Sequence, residues 1–268
     1  VRFIDCPSPN FEPRTSDIDL VVLHYTGMYN AAIALRRLTD PAPLAGHYPG
    51  PWQDPNIDPM TPLGRVSAHY MIDEEARVYR LVHEAHRAWH AGASSWEGRS
   101  DTNDRSIGIE IANGGHDFGL PNYPKKQIDA VIVLLQEILP RYGLGPSRVV
   151  GHSDVASGRK LDPGEKFPWS ALAEYRVALT PRLAIGRGGD VLFKPGDEGE
   201  AVVAVQSMLA QIGYGLEATG TFDESTFDCV HAFQARYRQD ELSGLVDEET
   251  AALVEDIAAQ AELSRRGR

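Results

Sequence analysis

The chain has 268 residues, a length that suits one large domain or two unequal ones, and its 42% apolar and 24% charged composition is that of a folded globular protein. A net charge of −12 argues against a nucleic-acid partner, which would need a basic surface, and no run of about 18 apolar residues is present to span a membrane. Residues 1–180 carry a net charge of −4 and eight of the nine histidines, whereas residues 181–268 carry −8 and only His231, so the two parts should differ in task.

In chain order, Leu20 to Tyr25 (LVVLHY) reads as a buried strand ending at His24–Tyr25, and Ala31 to Leu38 as a helix. Residues 40–64 hold seven Pro and three Gly and are expected to form a long surface loop that shapes or gates a groove beside His24. Val66–Asp73 and Val78–Val82 read as a strand pair around a turn, and Ile107–Ala112 (IGIEIA) as a further strand. Lys125–Tyr142 places Ile128, Val131, Ile132, Leu135, Ile138 and Leu139 on one helical face. Val149–Gly151 is read as a short strand delivering His152 into a loop. The mixture predicts an α/β (α+β) fold with a mixed central sheet flanked by helices.

Pro181 to Pro195, rich in glycine, reads as a linker. Beyond it, Gly220-Thr-Phe-Asp223-Glu-Ser-Thr226 recurs as Gly244-Leu-Val-Asp247-Glu-Glu-Thr250, each Gly suiting a turn and each Asp a helix cap. Asp197 and Glu200 form a capping-box pattern ahead of an earlier helix. The expected division is a catalytic domain at 1–180, a linker at 181–194 and a small three-helix domain at 195–268.

Three features of the larger part concern chemistry. His24 ends a strand, His152, Lys160 and Asp162 share the segment GHSDVASGRKLDPG, and Glu110 lies within an apolar strand. Two His and one Asp can make a three-ligand metal set with a fourth position open to water; taken singly, each suits a structural role as well. A carboxylate on an apolar strand must be paired, hydrogen-bonded or functional, because bare burial is costly. His69 is expected to be packed and hydrogen-bonded, and His47 solvated. His83, His86 and His116 show no partner pattern.

LVVLHYT, VSAHYMID, RAWHAG, NDRSIGIEIAN and GHSDVASGRKLDPG, in this order over about residues 18–170, resemble the zinc-dependent N-acetylmuramoyl-L-alanine amidases of the AmpD type (type 2 amidase domain). Residues 195–268 are similar to the three-helix peptidoglycan-binding module with its G-x-x-D-x-x-T repeat. The resemblance implies Zn²⁺ held by His24, His152 and Asp162, with Glu110 helping to activate water and Lys160 stabilising the oxyanion. His90 and Asn113 are expected to contact substrate, and Trp89, like Trp52 and Trp96, to stack on sugar or cover the core.

The implied reaction is hydrolysis of the amide between N-acetylmuramic acid, or its 1,6-anhydro form, and L-alanine of the stem peptide, in wall turnover or muropeptide recycling. The alternative is a non-catalytic peptidoglycan-binding or sensing protein, which would have no need of all five residues His24, Glu110, His152, Lys160 and Asp162. The opening VRFIDCPSPN lacks an export signal, so the expectation is a cytoplasmic enzyme; periplasmic residence is the expectation if such a signal has been removed, and the wall-binding tail favours it.

Overall fold

Six strands form the central sheet in the spatial order Phe3–Asp5, Val78–Arg80, Tyr70–Ile72, Ser106–Ile111, Leu20–Tyr25 and Val149–Gly151. Tyr70–Ile72 runs antiparallel to Val78–Arg80, and every other neighbouring pair is parallel. The computed structural model describes residues 2–48, 57–184, 186 and 188–266. The mixed sheet expected from the alternation of elements is present, although the strand predicted from Val66 starts at Tyr70.

The two faces of the sheet bury different partners. Val21, Leu23, Ile107, Ile109, Ile111 and Val149 pack against the Lys125–Arg141 helix through Ile128, Val131, Ile132, Leu135 and Ile138. Leu20, Val22 and Val150 point the other way, into a core shared with Val205, Leu209, Phe233 and Ile257 of the C-terminal helices. A parallel strand covered on both faces reads as an unbroken apolar run, which explains LVVLHY. The alternating IGIEIA turns its isoleucines to the Lys125–Arg141 helix, leaving Gly108 and Glu110 on the opposite face.

The C-terminal part holds the three helices anticipated, Glu200–Ile212, Glu224–Tyr237 and Glu248–Arg266. The repeat has a mechanical explanation that spacing alone did not reveal. Gln206 donates to the Thr221 carbonyl and the Thr226 hydroxyl and accepts from the Gly220 N–H; Gln234 does the same with Leu245, Thr250 and Gly244. Asp223 and Asp247 accept from the N–H groups of Thr226 and Thr250, as expected of caps. The Asp197–Glu200 capping box does not form. Gly199 occupies the N-cap, and the Asp197 carboxylate instead accepts from the Lys194 N–H.

Two further expectations change. The predicted linker contains a strand, Val191–Phe193, which pairs with Val246–Asp247 and so belongs to the C-terminal part. His152 opens a helical turn, His152–Val155, in place of a loop, because the Asp154 carboxylate folds back to accept from the Gly151 N–H at 2.7 Å. Within 40–64, Ala45–His47 forms a 3-10 turn and Leu44 bridges to Pro62. Residues 49–56, including Trp52, lie outside the described residues.

Candidate metal centre

Strand register brings the site together. His24 and Glu110 are direct partners on adjacent parallel strands, and Gly151, the residue before His152, pairs with Leu23. All three therefore emerge near the carboxyl ends of neighbouring parallel strands, where open α/β sheets place their ligands. Asp162 comes from the loop after the His152 turn; its backbone carbonyl accepts from the Ser153 N–H at 2.8 Å.

Three atoms converge. His24 Nδ1 lies 2.9 Å from His152 Nδ1 and 3.0 Å from Asp162 Oδ2, and His152 Nδ1 lies 2.9 Å from the same oxygen. The far nitrogen of each imidazole is occupied elsewhere. His152 Nε2 donates to the Ala91 carbonyl at 2.9 Å, and a carbonyl only accepts, so the neutral ring has a bare Nδ1. His24 Nε2 faces His90 Nδ1 at 3.0 Å. Burial, then the neighbouring His152, lowers the His24 pKa to about 4, leaving a neutral imidazole near pH 7. Burial opposes ionisation of Asp162, but the two imidazoles overcome it and hold its carboxyl well below the ordinary carboxylate range. Lone pairs aimed at one point from so short a distance repel unless a cation lies among them, so this donor set fits a divalent metal. It is the group of three potential ligands found among the described residues.

Glu110 is the other informative group. Its Oε2 is buried with no hydrogen-bond partner among the described residues. Burial, with the Asp162 charge adding to it, raises its pKa well above the usual carboxylate range, while Lys160 pulls in the opposite direction. A carboxylate oxygen buried without a partner is destabilising, which makes Glu110 a candidate functional group. Glu110 and Lys160 line the same cavity of about 530 Å³ as His24, His152 and Asp162. Its walls continue through Thr26, Met28, Arg37, Tyr48 and Leu63, so described residues of the 40–64 segment and its preceding helix border the groove.

The remaining expected residues divide. Trp89 lines the cavity beneath the Arg65 guanidinium, 4.8 Å from its ring centroid. His90 borders the cavity but is buried behind His24. Asn113 is not brought to the cavity wall: its amide donates to the Pro121 carbonyl and accepts from the Gly115 N–H, closing the loop after the strand. Trp96 is core, edge-on to Tyr214. His69 is buried as expected, accepting from the Gly108 N–H. His47 is half-exposed beside Asp40.

His116 was missed. Its Nε2 faces the Glu165 carboxylate at 3.0 Å and its Nδ1 the Tyr25 hydroxyl at 3.0 Å, in the cavity wall. Burial, then Asp162, pushes the Tyr25 hydroxyl up to about 12. His116, Lys160 and Leu161 also border a second cavity of about 370 Å³, whose far wall is Phe227, Asp228 and His231 of the C-terminal part.

Residues 14–165 match the family model described as N-acetylmuramoyl-L-alanine amidase, and residues 198–254 match one described as "Putative peptidoglycan binding domain". The N-acetylmuramoyl-L-alanine amidase AmiD of Escherichia coli K12 is 34% identical over 230 residues, covering 80% of this chain and 81% of that protein. The 1,6-anhydro-N-acetylmuramyl-L-alanine amidase AmpD of Haemophilus influenzae is 31% identical over 171 residues, 60% of this chain and 85% of the relative. Among solved structures, E. coli AmiD in complex with the substrate anhydro-N-acetylmuramic acid-L-Ala-D-gamma-Glu-L-Lys superposes with a TM-score of 0.70 at 29% identity, over 91% of this chain and 89% of that one. AmpDh3 from Pseudomonas aeruginosa gives 0.68 at 30% identity, over 92% and 94%.

Proposed function

This chain belongs to the N-acetylmuramoyl-L-alanine amidase family, and from that premise we propose that it hydrolyses the amide joining N-acetylmuramic acid, in its 1,6-anhydro form, to L-alanine of the peptidoglycan stem peptide. The observation that carries this reading is the convergence of His24 Nδ1, His152 Nδ1 and Asp162 Oδ2 beside an unpartnered Glu110 carboxylate and Lys160 in one cavity. The bound substrate of AmiD and the anhydromuramic pentapeptide complexed with AmpDh3 support the choice of substrate form.

The ligand set fits Zn²⁺, which when bound supplies a Lewis acid that polarises a carbonyl and makes water acidic enough to react near neutrality. The chain's own residues divide the remaining work. Glu110, unencumbered by hydrogen bonds, takes a proton from the attacking water at its carboxylate and returns one to the departing L-alanine amine. Lys160 offers its ammonium to the carbonyl oxygen as negative charge develops there. Trp89, Met28 and Leu63 give the cavity apolar surface for the muramyl and peptide portions.

On this reading residues 1–180 catalyse, and the C-terminal part, with the Val191–Phe193 strand included in it, forms the wall-binding module. Mass spectrometry of digested anhydro-muropeptides tests the bond: free stem peptides beginning at L-Ala are expected, and cleavage inside the peptide overturns the proposal. Turnover on intact sacculi against soluble anhydro-muropeptides decides between polymer in the periplasm and imported fragments in the cytoplasm. Among the described residues, no helix is long and apolar enough to cross a membrane.

A further inference from the structure

Consecutive residues of the Trp89–Gly92 segment occupy the far nitrogens of both candidate histidine ligands. The Ala91 carbonyl accepts from His152 Nε2, and His90 Nδ1 lies 3.0 Å from His24 Nε2. The backbone of this pair is held by one buried amide, since Asn103 Oδ1 accepts from the N–H of His90 at 3.0 Å and of Ala91 at 2.8 Å. The His90 ring lies flat against the Ser106–Ile111 strand at Gly108, where a Cβ would sit 2.4 Å from His90 Cγ.

The directions of these hydrogen bonds follow from one acceptor-only group. The Ser106 hydroxyl lies 2.6 Å from the Thr102 carbonyl, so its proton goes there. Ser106 Oγ is then an acceptor for His90 Nε2–H, 3.2 Å away. His90 Nδ1, left bare, accepts from His24 Nε2–H, and His24 Nδ1 is bare in turn. We propose that His90, anchored by Ser106, is a positioning residue that fixes the tautomer and ring plane of His24 so that Nδ1 faces the metal point. This rests on the reading of His24 as a zinc ligand. His90 acts through His24 rather than on substrate, and the terminal carbonyl of Thr102 gives the whole line its polarity.

The full chain tests this in two ways that do not depend on turnover. Long-range ¹H–¹⁵N spectra of histidine-labelled protein should place the His90 proton on Nε2 with Nδ1 bare, with and without zinc; a proton on His90 Nδ1 overturns the relay. Zinc titration against a competing chelator should show His90→Leu binding 10–100-fold more weakly than wild type, the range found when partners of metal-bound histidines are removed. Ser106→Ala should fall between them. His90→Gln should recover most of the affinity, because its amide can accept from His24 and donate to Ser106 in the same sense. Wild-type affinity in both His90→Leu and Ser106→Ala overturns the proposal. A wild-type protein that binds no zinc instead overturns the metal reading and the relay with it, so the two failures are distinct. Should His90→Leu fail to fold, the tautomer measurement on the unsubstituted protein still decides.

Discussion

Arg236, on a C-terminal helix, forms a buried ion pair at 2.5 Å with Asp154, two residues beyond the zinc-ligand candidate His152. The same carboxylate accepts from the Tyr214 hydroxyl at 2.8 Å and from the Gly151 N–H, while Arg236 also donates to the Val149 carbonyl and stacks on Trp169. The C-terminal part thus holds the strand and helical turn that present His152. Arg236→Met is expected to cost about 3 kcal/mol, because it leaves a buried carboxylate short of its cation. Tyr214→Phe should cost about 1 kcal/mol, the loss of one hydrogen bond. Urea denaturation measures both, and a change below about 0.5 kcal/mol for Arg236→Met would refute the assigned role.

The shared core predicts how the two parts respond to a cut between them. Limited proteolysis in 183–189 should yield fragments that elute together, since Leu20, Val22, Trp96 and Val150 bury their side chains against the C-terminal helices. Separation of the fragments without denaturant would contradict the continuous core.

Glu110→Gln should lower turnover by about 10²–10⁴-fold, the usual contribution of a general acid–base, with little change in zinc content. It should also raise the stability of the metal-free protein. A carboxyl whose folded pKa is raised binds its proton more tightly when folded, so its penalty grows as pH climbs from about 4.3 toward the folded value and fades as pH falls. The gain in melting temperature from Glu110→Gln should therefore be larger at pH 7 than at pH 4.5. An equal gain at both would separate the residue's burial from its titration.

Glu84 shows the opposite sign. Burial disfavours its charge, but hydrogen bonds from Tyr142, Tyr70 and Arg141 outweigh this and lower its pKa. Its stabilising effect is full above the unfolded value of about 4.3 and is lost as pH falls through the lower folded value. Glu84→Gln should cost about 2 kcal/mol at pH 7 and progressively less below pH 4, read from melting curves across pH.

The parts of the fold carried by periodicity were legible in the sequence. LVVLHY announced a strand by its unbroken apolar run, covered on both faces, IGIEIA by its alternation, and the run over Lys125–Tyr142 announced its helix. The ligand candidates were legible because His24 ends one such strand and His152 and Asp162 share one short segment. What escaped depends on distant partners. The turn at His152 is set by Asp154, itself held by Arg236, 82 residues away; His116 meets Glu165 across 49 residues. The partners of Asn113 and His90 were likewise not legible: the Asn113 amide engages Pro121 and Gly115, and the His90 ring, at the cavity wall, faces His24 and Ser106.

The double-sided burial of Leu20–Tyr25 also orders the protein's maturation. That strand is synthesised before the side chains that cover its second face, from Val202 to Ala258. Until those helices are made one sheet surface lacks its cover, and His152 lacks its Arg236-anchored support. The support that presents His152 is therefore completed only once the Glu224–Tyr237 helix, which carries Arg236, has been made.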